Sequence, residues 1–195
     1  MIHYFEDVLK TLDESIHSMD ENVFAKLVDD CVRTIEQNHK IIISGLGKNV
    51  PICEKFTGTM VSLGMNTCFL HTNSAIHGDM GVVMDGDLVI LLTKSGETAE
   101  SVYLTEKLSD RKITMWLMTF CRESALTKKI PNCLILDLQH EGDMWNIMPN
   151  NSTTINLIVL QGLAMQIAKQ RKIDLSRFKR NHPGGNIGKL LNQGN

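Results

Sequence analysis

The sequence lacks an excess of charge of either sign. Its 195 residues include 20 Lys and Arg against 22 Asp and Glu, which gives a formal net charge of −2. A protein that holds nucleic acid through bulk electrostatics needs a strong positive field, and this chain has none. We therefore expect no nucleic acid among its partners. The charged fraction of 22% and the hydrophobic fraction of 43% are typical of a chain with a packed core.

Membrane spans and cysteine frameworks are missing as well. No stretch reaches the roughly 18 apolar residues that a membrane-spanning helix needs, and the amino terminus lacks the basic and apolar segments of a secretory signal. The five cysteines are an odd set without a Cys-x-x-Cys pair, which argues against a zinc ribbon or a disulfide-stapled secreted scaffold. These absences predict a cytoplasmic protein with reduced thiols and no membrane among its partners.

Hydrophobic periodicity divides the chain into two amino-terminal helices and a repeated strand–helix pattern. Apolar residues recur at helical spacing over 2–38, with a break near Asp20, which is placed to cap the second helix. Five short apolar runs follow, most of them separated by segments long enough for a helix. The predicted strands are 41–44, 66–70, 87–93, 113–119 and 133–138, and the predicted helices are 49–64, 97–109, 122–130 and 150–172.

This order predicts an α/β fold. Continuous apolar strands joined by helical crossovers form a parallel sheet that is covered on both sides. We expect a single domain over 1–195, with the amino-terminal helices in 1–38 and the sheet core and carboxyl-terminal helices in 39–191. The stretch 72–86 has no periodicity and is predicted to be a loop, and long loops in compact domains tend to be functional.

Ligands of an open parallel sheet bind beyond the carboxyl ends of its strands. Three strands end in suitable sequences, GLGKN at 45–49, TKSGET at 93–98 and TFCRES at 119–124. The first lacks the third glycine of a dinucleotide fingerprint, because Val50 stands there, and a tight turn also explains its glycines. In the second, Ser95 and Thr98 flank a glycine where hydroxyls and backbone amides can surround a phosphate. The alternative is that Ser95 caps the helix, with Glu97 in its first turn.

Two histidines and a glutamate lie in predicted loops. His77 lies in the stretch 72–86, and His182 lies before Pro-Gly-Gly near the carboxyl terminus. Such lone histidines are more often surface or hydrogen-bonded residues than catalysts, although loops also hold functional residues. Glu141 follows the last strand and precedes a Ser-Thr-Thr cluster at 152–154. A carboxylate there can act as a general base, although a solvated loop acid is commoner, and helix capping explains the hydroxyl cluster.

Taken together, five motifs resemble the sugar isomerase (SIS) domain family and, within it, the arabinose-5-phosphate isomerases. In chain order they are GLGK at 45–48, HGDMG at 77–81, SGET at 95–98, Glu141 ahead of PNNSTT at 149–154, and HPGGNIGKLL at 182–191. Their order and intervals are specific, whereas no single motif is.

The resemblance implies a three-layer α/β sandwich of flavodoxin-like or Rossmann-like type, with a five-stranded parallel sheet preceded by two helices. It implies a homotetramer with active sites near subunit interfaces, and interconversion of ribulose 5-phosphate and arabinose 5-phosphate without a cofactor or a metal. The phosphate-binding residues that it implies are Gly47, Asn49, Thr93, Ser95 and Thr98. The catalytic residues that it implies are Lys48, His77, Glu97, Glu141 and His182.

The implied reaction suits these residue types. Moving a carbonyl between C1 and C2 requires a base that takes a proton from carbon, and either Glu97 or Glu141 can be that base. Lys48 can neutralise the developing oxyanion or the phosphate, and His182 can move hydroxyl protons. For His77 two alternatives stay open, a structural role and a role at a neighbouring subunit's site.

Some positions depart from the family's usual pattern. Asn49 stands where a serine commonly follows the lysine, and Lys94 replaces the asparagine of Ser-Asn-Ser-Gly-Glu, which adds a cation beside the expected phosphate. The residues around Glu141 also differ. These changes border the sugar site, so the alternatives are an isomerase of a hexulose or heptulose phosphate and a non-catalytic sugar-phosphate-binding domain. Many relatives continue into paired regulatory CBS domains, and we expect the regulation that these provide to be absent here.

Overall fold

The computed structural model describes residues 2–192, and in this part of the chain strands alternate with helices. The strands are β1 (Ile41–Gly45), β2 (Thr67–His71), β3 (Leu88–Leu92), β4 (Thr114–Thr119) and β5 (Asn132–Ile135). The helices are α1 (Ile2–His17), α2 (Glu21–Glu36), α3 (Val50–Ser62), α4 (Thr72–Ala75), α5 (Ala99–Leu108), α6 (Ala125–Lys129), α7 (Asn151–Gln170), α8 (Leu175–Asn181) and α9 (Gly185–Asn192). No helix among these is long and apolar enough to cross a membrane.

The five strands form one parallel sheet in the order β2-β1-β3-β4-β5. Every residue of β1 and β3 is buried, which explains their unbroken apolar sequences, whereas the edge strands β2 and β5 are partly exposed. The chain runs from β1 to β2 on one side and then crosses to β3 on the other. The connections that leave β1 and β3 therefore diverge, and a crevice forms at the carboxyl ends of these two strands.

Side chains from alternate strand positions enter two separate cores, one on each face of the sheet. Ile41 and Ile43 of β1 lie in a core shared with α2, α3 and α7. Ile42, between them, lies in the core shared with α4, α5 and α6. Alternation of this kind is the period-two geometry of a strand buried on both faces. The protein is a three-layer α/β sandwich preceded by two helices, which confirms the predicted fold class.

The start of α2 is capped as predicted. The Asp20 carboxylate accepts the backbone N–H groups of Asn22 and Val23 at 2.8 and 3.2 Å. These are two of the donors that have no partner within the first turn of a helix. The local sequence pattern therefore suffices to locate the break between the two amino-terminal helices.

Three segments differ from the predictions. The stretch 72–86 is not entirely loop, because it contains α4 and a 3-10 helix at Asp79–Val82, both too short to show periodicity. The helix predicted over 122–130 is confined to α6, which Ser124 begins with a reciprocal capping box. The strand predicted over 133–138 stops at Ile135, because β4, its neighbour in the sheet, ends at Thr119.

Candidate active site

A cleft of about 230 Å³ opens at the carboxyl ends of β1 and β3. Its walls come from the loops after these two strands and from the first turn of α7. The lining residues are Leu46, Gly47, Lys48, Asn49, Leu92, Thr93, Lys94, Ser95, Thr98, Ser101, Pro149 and Ser152. Within the described chain this lining includes two lysines and no carboxylate, so its charge suits an anionic ligand.

Two glycines, Gly45 and Gly47, allow the tight turn between β1 and α3. A Cβ on Gly45 would lie 2.9 Å from Cys53 Sγ and 3.1 Å from Asn49 Cβ, so a larger residue would not fit between β1 and α3. Gly47 has a φ of 60°, a conformation that side chains disfavour. The tight strand-to-helix turn that explains these glycines without a nucleotide is therefore present.

Lys48 and Asn49 follow this turn and differ in what they offer a ligand. Lys48 is exposed at the cleft. The Asn49 side chain is used within the protein, since its amide nitrogen donates to the Leu92 carbonyl at 3.4 Å and its oxygen accepts from the Asn156 amide at 3.2 Å. Asn49 thereby joins the loop to β3 and α7, so its side-chain hydrogen bonds tie three elements of the cleft together.

The loop after β3 gathers hydroxyl groups. Thr93 Oγ1 lies 3.5 Å from Thr98 Oγ1 and accepts the Gly96 N–H at 3.3 Å. Ser95 Oγ accepts the N–H of Glu97 at 3.2 Å. Because α5 begins directly after Thr98, Ser95 is not its cap, and that alternative is wrong. Three hydroxyls line the cleft here, at the start of a helix.

Gly96 and Glu97 contact the start of α6. Gly96 has a φ of 68°, and a Cβ at this position would meet the Ser124 hydroxyl and lie 2.7 Å from Ser124 Cβ. Glu97 is exposed, and its Oε1 accepts the N–H of Ala125, the first residue of α6, at 2.8 Å. Glu97 does not line the cleft.

Glu141 is fully buried behind the cleft wall at the start of α7. Its Oε2 accepts the backbone N–H groups of Asn150 and Ser152, both at 3.0 Å, and its Oε1 accepts the Ser152 hydroxyl at 2.8 Å. Lys94 Nζ lies 2.5 Å from Oε1. Both Lys94 and Ser152 line the cleft, so Glu141 contacts the ligand site through these two side chains.

The surroundings of Glu141 keep it ionised. Burial by itself raises the pKa of the carboxyl, but the Lys94 ammonium and the donors of Ser152 and Asn150 outweigh this effect and hold the pKa below its usual range. The predicted capping of α7 by its hydroxyl cluster is wrong, because Ser152 donates its hydroxyl to Glu141 and Thr154 donates to the Asn150 carbonyl. The glutamate accepts the helix N–H groups instead.

Both candidate histidines lie outside the cleft. His77 is exposed in the turn after α4. His182 follows α8, stacks on Phe178 with ring centroids 3.9 Å apart, and has its Nδ1 2.8 Å from the Phe178 carbonyl oxygen. Asn181 fastens α8 to the far end of α3, because its amide donates to the Ser62 carbonyl at 3.0 Å. With 13 residues, α3 is about 20 Å long, and the cleft lies at its other end, so His182 is not among the residues that line the cleft of its own chain.

The structure thus brings six of the ten predicted residues to the cleft lining and adds residues that the sequence analysis did not count among the catalytic or phosphate-binding residues. The six are Gly47, Lys48, Asn49, Thr93, Ser95 and Thr98. Lys94 and Ser152 are the main additions, since they connect Glu141 to the cleft. The available signal is that Lys94 directly precedes the SGET motif and Ser152 lies inside PNNSTT, but their shared contact with Glu141 depends on tertiary packing. Within 2–192, no three His, Cys, Asp or Glu side chains converge as a metal site requires.

Known proteins are similar to this chain in sequence over most of its length. Residues 34–165 match the SIS domain family. Arabinose 5-phosphate isomerase KdsD from Pseudomonas aeruginosa is 32% identical over 175 residues, which is 88% of this chain and 54% of that protein. Arabinose 5-phosphate isomerase KpsF from Escherichia coli is 34% identical over 151 residues, which is 77% of this chain and 48% of that protein.

Solved structures agree with this relationship. A protein of Escherichia coli CFT073, solved in complex with arabinose 5-phosphate, matches with a TM-score of 0.86 at 29% identity, over 93% of this chain and 94% of that one. This chain spans about half the length of the curated relatives that it matches. Because the family match covers more than half of its residues and the fold agrees, the chain belongs to the SIS domain family.

Proposed function

We propose that this chain is an aldose–ketose isomerase that interconverts ribulose 5-phosphate and arabinose 5-phosphate. The observation that carries the proposal is the cleft lining, which combines three hydroxyls of one loop with two lysine ammonium groups and has no carboxylate among the described residues. Such a set suits a phosphate ester. Similarity to relatives named arabinose 5-phosphate isomerase, and to a protein solved with arabinose 5-phosphate, supports the pentose phosphate.

In this proposal the phosphate binds in the loop after β3. Thr93, Ser95 and Thr98 supply hydroxyls, and the start of α5 supplies the positive end of a helix dipole. Lys48, on the opposite loop, neutralises the phosphate or the enediolate oxygen that develops on the sugar. The ligand therefore bridges the two loops that diverge at the sheet crevice.

Isomerisation also needs a group that carries a proton between C1 and C2, and we assign this role to Glu141. Glu141 is ionised and bonded to the lining residues Lys94 and Ser152, so one of these side chains must shift when the sugar binds to let the carboxylate reach carbon. Glu97 is exposed and bonded to Ala125 of α6. Glu141→Gln is expected to lower turnover by at least ~10²-fold while phosphosugar binding persists. Loss of proton exchange in Glu97→Gln, with exchange retained in Glu141→Gln, would transfer the role to Glu97.

The oxygen protons are assigned to His182 of a second copy of the chain, since His182 lies far from its own cleft. Exposed apolar side chains support assembly. Trp145 and Ile147 precede the lining residue Pro149 and are 63% and 73% exposed, and Phe5 and Leu9 are exposed on α1. We expect a homotetramer with sites near its subunit interfaces.

Complementation between inactive variants tests the shared site. Lys48→Ala and His182→Ala are each expected to be inactive alone. When the two are unfolded and refolded together, sites that combine the intact residue of each chain should recover roughly a quarter of the wild-type activity, because one random pairing in four is intact. Activity that stays at the level of the separate variants would place both residues of a site in one chain.

A matched pair of variants tests the phosphate loop. Ser95→Ala combined with Thr98→Ala is expected to weaken binding of every phosphosugar by at least about tenfold per hydroxyl, since hydrogen bonds to charged groups are worth about 1.5–3 kcal/mol. Ser109→Ala removes an exposed hydroxyl elsewhere and should leave binding unchanged. Unchanged affinity of the double variant in calorimetry would exclude this loop as the phosphate site.

The alternatives are an isomerase of a hexulose or heptulose phosphate and a domain that binds phosphosugars without turnover. Asn49 and Lys94, which depart from the family pattern, both line the cleft. They support the alternative that the substrate is a different phosphosugar. Assays of purified protein with pentulose, hexulose and heptulose phosphates separate the three outcomes, since binding without turnover of any sugar supports the non-catalytic domain.

The proposal includes a cytoplasmic location, where the five free cysteines stay reduced.

A further inference from the structure

Lys94 has a fixed place between the phosphate loop and the loop that holds Glu141. Its carbonyl oxygen accepts the Phe120 N–H at 3.1 Å and the Thr119 hydroxyl at 3.0 Å, which anchors its backbone to the end of β4. Its side chain lines the cleft and extends to Glu141, with Nζ 2.5 Å from Oε1. The lysine therefore lies between the ligand space and the buried carboxylate.

Among residues 2–192, Lys94 is the one charged donor to Glu141. Two backbone N–H groups and one hydroxyl, all from Asn150 and Ser152, are neutral. The first turn of α7 contains no acidic residue. On its own loop, the His140 ring lies 2.9 Å from the Thr11 hydroxyl, and the Asp143 carboxylate accepts two backbone N–H groups of the same loop. The charge that balances the buried carboxylate therefore comes from Lys94.

Burial disfavours the charged form of a carboxylate, so without the Lys94 ammonium only the neutral donors would oppose this effect and the pKa of Glu141 would rise. A protonated glutamate cannot take a proton from carbon, so a base must be ionised at the working pH. The neutral donors of α7 orient Glu141, whereas the ammonium of Lys94 adds an electrostatic stabilisation that a neutral side chain at position 94 would not supply. The ammonium of Lys94 thus lowers the pKa of Glu141, the proposed base.

We infer that Lys94 is a positioning residue that holds Glu141 in place as a carboxylate behind the cleft wall and so extends the isomerisation to lower pH. The inference rests on the proposed function for its effect on turnover, but not for the ion pair itself. Lys94 need not touch the reacting atoms, because it acts through Glu141.

The pH dependence of kcat/KM in Lys94→Asn tests the effect on turnover. In wild type, activity should persist to lower pH than in the variant. Between pH 8 and pH 5.5, kcat/KM of Lys94→Asn is expected to fall at least about tenfold further than that of wild type. Lys94→Arg, which keeps the charge, should follow the wild-type profile. Lys128→Asn removes an exposed lysine of α6 and is the matched control for net charge.

The carboxyl resonance of Glu141, observed by NMR in protein labelled with [δ-13C]glutamate and assigned with Glu141→Gln, provides a readout that needs no turnover. Glu141 is expected to titrate at higher pH in Lys94→Asn and in Lys94→Met than in wild type. An unchanged titration and an unchanged pH profile in folded variants would overturn the inference. Absence of turnover in wild type would overturn the proposed function only, since the titration still tests the ion pair.

Discussion

Replacement of Gly96 by alanine tests whether the phosphate loop has the conformation described here. Gly96 combines two constraints, a φ of 68° and direct contact with Ser124. The left-handed conformation costs a residue with a side chain about 1–2 kcal/mol, and forcing a methyl group into a filled space costs about 1–3 kcal/mol. Since the Cβ would lie 2.7 Å from Ser124 Cβ, both costs apply. We expect Gly96→Ala to destabilise the protein by about 2–5 kcal/mol.

Thermal unfolding measures this effect. For a chain of this size each kcal/mol shifts Tm by about 2–4 °C, so a loss of about 3 kcal/mol should lower Tm by about 6–12 °C. Gly58→Ala is the matched control, because Gly58 is exposed within α3 and a Cβ there would meet nothing within 4 Å. Alanine is the better helix former by about 1 kcal/mol, so the control should raise Tm.

A rescue variant separates the two costs. Adding Ser124→Gly to Gly96→Ala removes the side chain that the new methyl group meets, at the loss of only a few tenths of a kcal/mol in helix capping. The double variant should regain the steric part of the lost stability and keep the conformational part. A Gly96→Ala protein as stable as wild type, or one that Ser124→Gly does not rescue, would refute the described geometry of the loop.

Two further predictions concern stability. Asp20→Ala removes the acceptor of two N–H groups at the start of α2 and should cost about 1 kcal/mol in urea unfolding, whereas an unchanged midpoint would show that the cap is not formed. Because the folded-state pKa of Glu141 lies below its usual value of 4.5, its ionised form contributes stability above that pH, and the contribution is lost as the pH falls through the folded pKa. Urea unfolding at several pH values should therefore show that Glu141→Gln is less stable than wild type near neutral pH, and that the difference in unfolding free energy shrinks as the pH falls. A difference that does not change with pH would contradict this reasoning.

Local sequence patterns were enough to predict most of the fold. The buried strands β1 and β3 are unbroken apolar runs, and the Asp20 cap is encoded within four residues. The short helix α4 was not predictable, because four residues cannot show a helical period and the acceptor at its start is the ring of His71. The order and type of long elements follow from periodicity, whereas short elements depend on individual side-chain contacts.

The candidate site was predictable only where it is contiguous in sequence. The loops at 45–49 and 93–98 each contain their own glycines and polar groups, and both line the cleft. The capping of α7 by Glu141 joins residues eleven positions apart, and the Lys94 ion pair joins two different loops. Local capping rules cannot reveal such contacts. The distance of His182 from its own cleft follows from the packing of α8 on α3, which the histidine motif does not specify.

Proton NMR of the purified chain with ribulose 5-phosphate in D2O tests the central claim most directly. The account predicts that arabinose 5-phosphate forms with deuterium at C2, because the enediol route takes up a proton at that carbon during turnover, and that both the product and the label form at least ~10²-fold more slowly with Glu141→Gln. Absence of arabinose 5-phosphate with wild type, under conditions in which calorimetry shows that ribulose 5-phosphate is bound, would contradict the assignment of this chain as a pentose-phosphate isomerase.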